Sequence, residues 1–151
     1  MPGFDRPVVS IPGAERIIYP FGERQIVHAT AAETGGSIGI FEGFIAPGHG
    51  VHWHTHTRED ETFRVIEGQF RFWCGDRSVE GGAGTTLVAP RNVPHRWINT
   101  GDSEGRLLFI VTPGGFEQFF IDVAQLAEIT PQAVAALEER YGSFRNEGLP
   151  A

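Results

Sequence analysis

From about residue 16 to residue 112 the chain is broken into short apolar runs rich in Val, Ile, Phe and Thr, each closed within roughly ten residues by Gly, Pro, Asn or Asp. This cadence is the feature that most limits the fold. Runs of that length cannot sustain a helical bundle, but they can alternate, turn and pair. The spacing predicts strands over 16–19, 25–30, 37–45, 51–57, 62–66, 69–74, 85–89, 95–98 and 106–112. The joints carry turn chemistry at Glu67-Gly68, Gly75-Asp76, Gly81-Gly82, Arg91-Asn92 and Thr100-Gly101-Asp102. Many strands at regular spacing favour a sandwich or a barrel. The 20 glycines and 12 phenylalanines fit tight turns around an aromatic core.

Beyond residue 112 the period changes. Phe116, Phe119, Phe120, Val123 and Leu126 fall at helical spacing. Thr130-Pro131 is a helix start, Val134, Leu137 and Tyr141 continue one apolar face, and Gly142 can end it. The chain of 151 residues is therefore expected to be one domain, 1–151. Its β-core covers about 25–112 and a helical extension about 114–142, with two short helices packed on the outside. Their apolar stripe reads as core rather than as a cofactor box.

Two glycine-framed segments carry the chemistry. The first, GHGVHWHTHTREDETFRVIEG, places His54 and His56 two apart and Glu61 five further on. Alternation along a strand puts His52, His54 and His56 on one face. Glu61 opens the following apolar strand, with Phe63 and Val65 on its face, whereas Glu59 and Asp60 fall in the turn between. The second segment, GAGTTLVAPRNVPHRWIN, adds His95. Three imidazoles and a carboxylate suit a divalent transition metal such as Fe, Mn, Ni, Cu or Zn, and the sequence does not choose among them. Strands hold such ligands with little freedom to lose on binding.

Composition narrows the rest. The formal charge is −7, from 12 Lys+Arg against 19 Asp+Glu, and none of the cations is a lysine. A nucleic-acid partner needs a concentrated basic face, so none is expected. The single cysteine, Cys74, excludes an intrachain disulfide framework and reads as a small buried hydrophobe. The start, MPGFDRPVVS, lacks a basic region followed by an apolar run, and no stretch reaches the length of a membrane span. A soluble, cytoplasmic protein with no membrane partner is the expectation.

The two segments resemble the paired motifs of the cupin superfamily. The pattern G-x5-H-x-H-x4-E-x6-G is met by Gly48, His54, His56, Glu61 and Gly68. The pattern G-x5-P-x-G-x2-H-x3-N is met by Gly84, Pro90, His95 and Asn99, with Asn92 where the family has glycine. Asparagine tolerates the left-handed backbone that such a turn requires. The stretch TPGGFEQFFIDVAQL and the later RYG are similar to small single-domain cupins described as quercetin-dioxygenase-like. The resemblance implies an all-β fold, the cupin-type double-stranded β-helix or jelly-roll barrel, followed by two short C-terminal α-helices. It implies His54, His56, Glu61 and His95 as metal ligands.

For function the resemblance implies a dioxygenase-type oxidoreductase acting on a small organic substrate, aromatic or enolisable, with Glu61 doubling as ligand and proton acceptor. His52, Phe63, Phe72, Trp97 and Phe109 are the expected substrate pocket, and Phe70 has the same inward parity. Alternatives are a metal-dependent isomerase, cyclase or lyase, and a non-catalytic binder of small ligands. A metal-free sugar-epimerase-type cupin would not need all four ligands. Arg71 and Trp73 should face solvent or a partner subunit, Arg64 and Arg96 the surface, and His49 solvent; His28 has no evident context. Unpaired strand edges, together with the resemblance, lead to an expected homodimer, with the segment before residue 25 a candidate for crossing to the partner.

Overall fold

Alternation along the strands decides which side chains meet. In the computed structural model, which describes residues 3–150, Leu107, Phe109 and Val111 of one long strand are buried while Arg106, Leu108 and Ile110 between them face outward. The same parity buries Glu61, Phe63 and Val65 on its neighbour. It also buries His95, Trp97 and Asn99 on a strand of the facing sheet. The candidate ligands thus stand in the same inward rows as the core phenylalanines.

The strands run in the order β1 (Arg16–Ile18), β2 (Gln25–Ala29), β3 (Gly39–Ile45), β4 (His54–His56), β5 (Asp60–Glu67), β6 (Phe70–Cys74), β7 (Arg77–Gly81), β8 (Thr86–Ala89), β9 (His95–Asn99) and β10 (Gly105–Thr112). Helices α1 (Glu117–Ala124) and α2 (Pro131–Arg140) follow, and then strand β11 (Ser143–Arg145). Two antiparallel sheets face one another. One has the order β1-β2-β3-β10-β5-β8 and the other β11-β4-β9-β6-β7. From β3 onward the chain alternates between the sheets, apart from the β6–β7 hairpin, as in the expected jelly roll.

The inner faces pack Phe41, Phe63, Phe70, Phe72, Leu107 and Phe109 into one cluster. Each fully buried ring contributes on the order of 2 kcal/mol through burial. Phe41 stacks on Phe109 with centroids 4.7 Å apart, and Phe63 meets Phe109 edge to face at 5.6 Å.

The helices are not confined to the outside of the barrel. Phe120 of α1 reaches Phe41 at 5.2 Å, so this helix caps one mouth of the β-domain. Glu117, at the start of α1, is 1% exposed and accepts hydrogen bonds from the backbone N–H groups of Ala31 and Gly115. Thr130 caps α2 by accepting from the Ala133 N–H. Gly142, at φ 70°, turns the chain out of α2 into β11.

Several boundaries differ from expectation. Pairing with Thr112 of β10 draws Asp60 into β5, where its carboxylate faces out to Arg91. Strand β4 is confined to His54–His56, because Gly50 and Val51 touch β9 only through an isolated bridge and one N–H bond to the Trp97 carbonyl. Strands β7 and β11 lie outside the apolar runs of the sequence, because both are largely exposed and lack an apolar face. Strand β1 pairs with β2 of its own chain, and Phe21 lies 6.4 Å from the Phe119 ring. His28 has partners after all, Ser10 Oγ at 2.7 Å and Glu42 Oε1 at 2.9 Å. His49 lies 3.2 Å from Glu23. Among the described residues no helix is long and apolar enough to cross a membrane.

Candidate metal centre

Strand β4 is held on both sides. On one edge His54 stands directly opposite His95 of β9; on the other, β11 pairs Ser143 with His56 and Arg145 with His54. The Gly142 carbonyl adds bonds from both the N–H and the hydroxyl of Thr57. Glu61 arrives from the opposite sheet on β5. A side-chain ligand atom from each of His54, His56, Glu61 and His95 lies within 4.8 Å of the others.

The tautomers are set by the backbone. His54 Nδ1 donates to the His52 carbonyl at 2.8 Å, and His95 Nδ1 donates to the Val93 carbonyl at 3.1 Å. Both rings therefore direct Nε2 at the cluster. Glu61 Oε2 lies 3.0 Å from His56 Nε2 and 3.1 Å from His95 Nε2. Ligands about 2.1 Å from one ion and at right angles would stand about 3 Å apart.

His56 gives the test of fit. It is 1% exposed, and neither ring nitrogen makes an aligned hydrogen bond, despite the closeness of Glu61. An unpaired buried polar nitrogen costs about 1–3 kcal/mol, and a coordinated cation would remove that cost. The donor set of three imidazoles and one carboxylate fits a divalent transition metal.

Electrostatics agree. Burial alone would raise the Glu61 carboxyl, but His56 and His95 outweigh it and hold it well below the usual carboxylate range. Burial pushes His54 down to about 3, helped by His95 and His56. Burial would also lower His56, but the Glu61 carboxylate prevails and raises it. Glu59, placed in the turn by its sequence position, is 4% exposed beside this group, and burial raises its carboxyl to about 7. Nothing in the run Thr57-Arg58-Glu59-Asp60 distinguishes the inward acid from the outward one.

The cluster opens onto a cavity of about 350 Å³. His54 and Glu61 lie on its wall with His52, Trp97 and Phe109, as the inward parity suggests. Phe63 and Phe72 do not line it. Both are 1% exposed and fill the closed end of the barrel, where Phe63 packs 5.7 Å from the His95 ring. Their parity points inward, but the aromatic packing behind the ligands leaves them no free surface. Phe116, Phe119 and Phe120 add an aromatic side, so the helical stripe serves the core and the cavity together, while Glu23, Arg24, Glu138 and Arg145 bring charge to the wall. Phe116 also meets the His56 ring at 4.1 Å.

Comparison with known proteins agrees with this architecture. Residues 42–111 match the family model described as Cupin domain. Protein SchB of Streptomyces halstedii is 34% identical over 84 residues, which cover 56% of this chain and 59% of that protein. Polyketide synthase CurC of Streptomyces cyaneus is 29% identical over 84 residues, 56% of this chain and 53% of that protein. The chain thus matches little more than half the length of these curated relatives. Among solved structures, KdgF from Halomonas sp. superposes with a TM-score of 0.63 at 15% identity, covering 73% of this chain and 98% of that one. That likeness is one of fold.

Proposed function

The chain belongs to the cupin superfamily, and from that premise we propose that it is a metal-dependent, dioxygenase-type enzyme acting on a small aromatic or enolisable molecule. The observation that carries this reading is the placement of the His54, His56, Glu61 and His95 cluster at the inner end of a cavity walled by Trp97, Phe109, Phe116, Phe119 and Phe120. His54, His56, Glu61 and His95 would hold the ion. When bound, it would supply Lewis acidity and open coordination positions for a substrate oxygen or dioxygen.

The chain's own residues would do the rest. The aromatic part of the wall would accept a flat, unsaturated body by edge and face contacts. His54, on the cavity wall, sets how close that body comes to the ligand cluster. Glu61, on the cavity wall, is the carboxylate that would take the proton of an enol or phenol hydroxyl as the substrate binds. The name of the relative CurC supports the substrate class, because polyketide chains are rich in enolisable carbonyl groups. It equally supports a second reading, a cyclase or lyase that moves protons without oxidation.

Oxygen consumption separates the two. Protein loaded with Fe(II), Mn(II) or Ni(II) is incubated with flavonols, diketones, catechols and fused-ring phenols in an oxygen-electrode cell. Oxygen uptake in step with substrate loss is expected. Equal conversion under argon would replace the oxygenase reading with the non-oxidative one. Retention of a ligand with no conversion in either atmosphere would make the protein a binder.

A further inference from the structure

A second cleft lies on the outer side of the sheet that carries the histidines. His52, Trp53, Arg96, Arg145, Glu147 and Leu149 contribute to its walls. Arg96 is the outward neighbour of His95 on β9, and its guanidinium lies over the Trp73 ring, 4.8 Å from the centroid. Its Nε is buried and has no hydrogen-bond acceptor, the one guanidine nitrogen so placed among the described residues. A buried cationic N–H without an acceptor is costly, and an incoming oxyanion would relieve it.

Arg145 faces the same cleft. Its Nε lies 3.1 Å from Glu138 Oε1, and its side chain is 52% exposed. Trp53 and Leu149 add apolar surface, and Glu147 adds one negative charge. Arg145 is already paired with Glu138, and Glu147 adds a second carboxylate, so Arg96 is the guanidinium left with an unmet donor. A monoanion matches that single cation, whereas a phosphate dianion would meet both carboxylates at greater cost.

We propose that this cleft binds the carboxylate of an organic acid with an apolar ring-containing body, Arg96 and Arg145 taking the oxygens and Trp53 and Leu149 the body. Planar bidentate donors suit a carboxylate. His52 and Arg145 also lie on the wall of the metal cavity, so they form a rim common to both sites. An acid anchored in the cleft would extend across this rim toward the ligand cluster. That extension rests on the function proposed above, whereas binding in the cleft does not.

The test uses the three tryptophan indole signals of the ¹⁵N-labelled full-length protein, assigned with Trp53→Phe and Trp97→Phe. Trp53 reports on the cleft and Trp97 on the metal cavity. Benzoate, benzyl alcohol and inorganic phosphate are titrated separately, before and after chelation, with metal content measured in parallel.

Benzoate should shift the Trp53 signal saturably, chelated or not, and benzyl alcohol should not. Arg96→Gln and Arg145→Gln should each weaken benzoate roughly tenfold or more. Phosphate matching benzoate would overturn the assigned ligand class. A shift confined to Trp97, abolished by chelation and indifferent to Arg96→Gln, would place the carboxylate at the metal and overturn the cleft site. So would failure of the Trp53 signal to saturate. Metal content without benzoate binding, or the reverse, tells failure of this inference from failure of the metal assignment.

Discussion

The backbone N–H of Asn92 donates to the carbonyl of His56 across 2.7 Å. Asn92 is the residue at which the second glycine-framed segment departs from the family pattern, and it has φ 65°. The left-handed turn therefore does more than reverse the chain before His95. It fixes the strand that presents a candidate ligand of the other segment, joining the two through one bond.

Asn92→Gly should retain full metal content and change stability by only a few tenths of a kcal/mol, because glycine adopts this φ freely. Asn92→Val should cost about 1–2 kcal/mol, since a β-branched residue is poorly tolerated there. A fall in melting temperature of about 2–8 °C is expected. Equal melting temperatures for the Gly and Val variants would show that the turn is not strained.

Removing a ligand should be read by elemental analysis rather than by activity. Wild-type protein is expected to carry about one transition-metal ion per chain, and His56→Ala or His95→Ala should lose nearly all of it. His49→Ala is the control, because its imidazole faces Glu23 outside the cluster. Unchanged metal content in both ligand variants would remove the site assignment.

Glu117 tests the support behind the cavity. Its carboxylate collects the N–H groups of Ala31 and Gly115, at 2.5 Å and 2.7 Å, and so pins the start of α1, from which Phe116 reaches His56. Glu117→Ala should cost about 2–4 kcal/mol, two charge-assisted bonds lost with their donors left partly buried. Gly39→Ala should be comparably damaging, because its Cβ would lie 2.1 Å from Glu117 Oε2. Chemical denaturation measures both, and a loss below about 0.5 kcal/mol in either would mean that the loop relaxes around the change.

What could be read from the sequence follows from how local each constraint is. The four ligands were legible because strand alternation and short spacing fix His54, His56 and Glu61 relative to one another, and the second segment supplies His95. The cavity was not, because its depth depends on where the core phenylalanines stop. Phe63 and Trp97 have the same inward parity, yet one is packed behind His95 and the other faces open space. Phe116, Phe119 and Phe120 were legible as a helical stripe, but their meeting with the barrel mouth is a tertiary event. Strand β11 carries no strand signal of its own. It becomes a strand because β4 offers it an edge, and in pairing there it braces His54 and His56.

Tyr141 gives the pH prediction. It sits at the end of α2 and donates its hydroxyl proton to Asp122. Burial, then the hydrogen bond and charge of Asp122, push the phenol up to about 12 from its ordinary 10. Between those values the folded protein retains a proton that the unfolded chain has released, so stability must fall as pH rises. The contribution is fully present below pH 10, declines from 10 to about 12 and is absent above. One of the two tyrosines should therefore ionise late in an ultraviolet titration at alkaline pH, and Tyr141→Phe should abolish that step. The stability difference between wild type and Tyr141→Phe should shrink across the same window. A difference that stays constant from pH 9 to pH 12 would show that Tyr141 titrates alike in the folded and unfolded states.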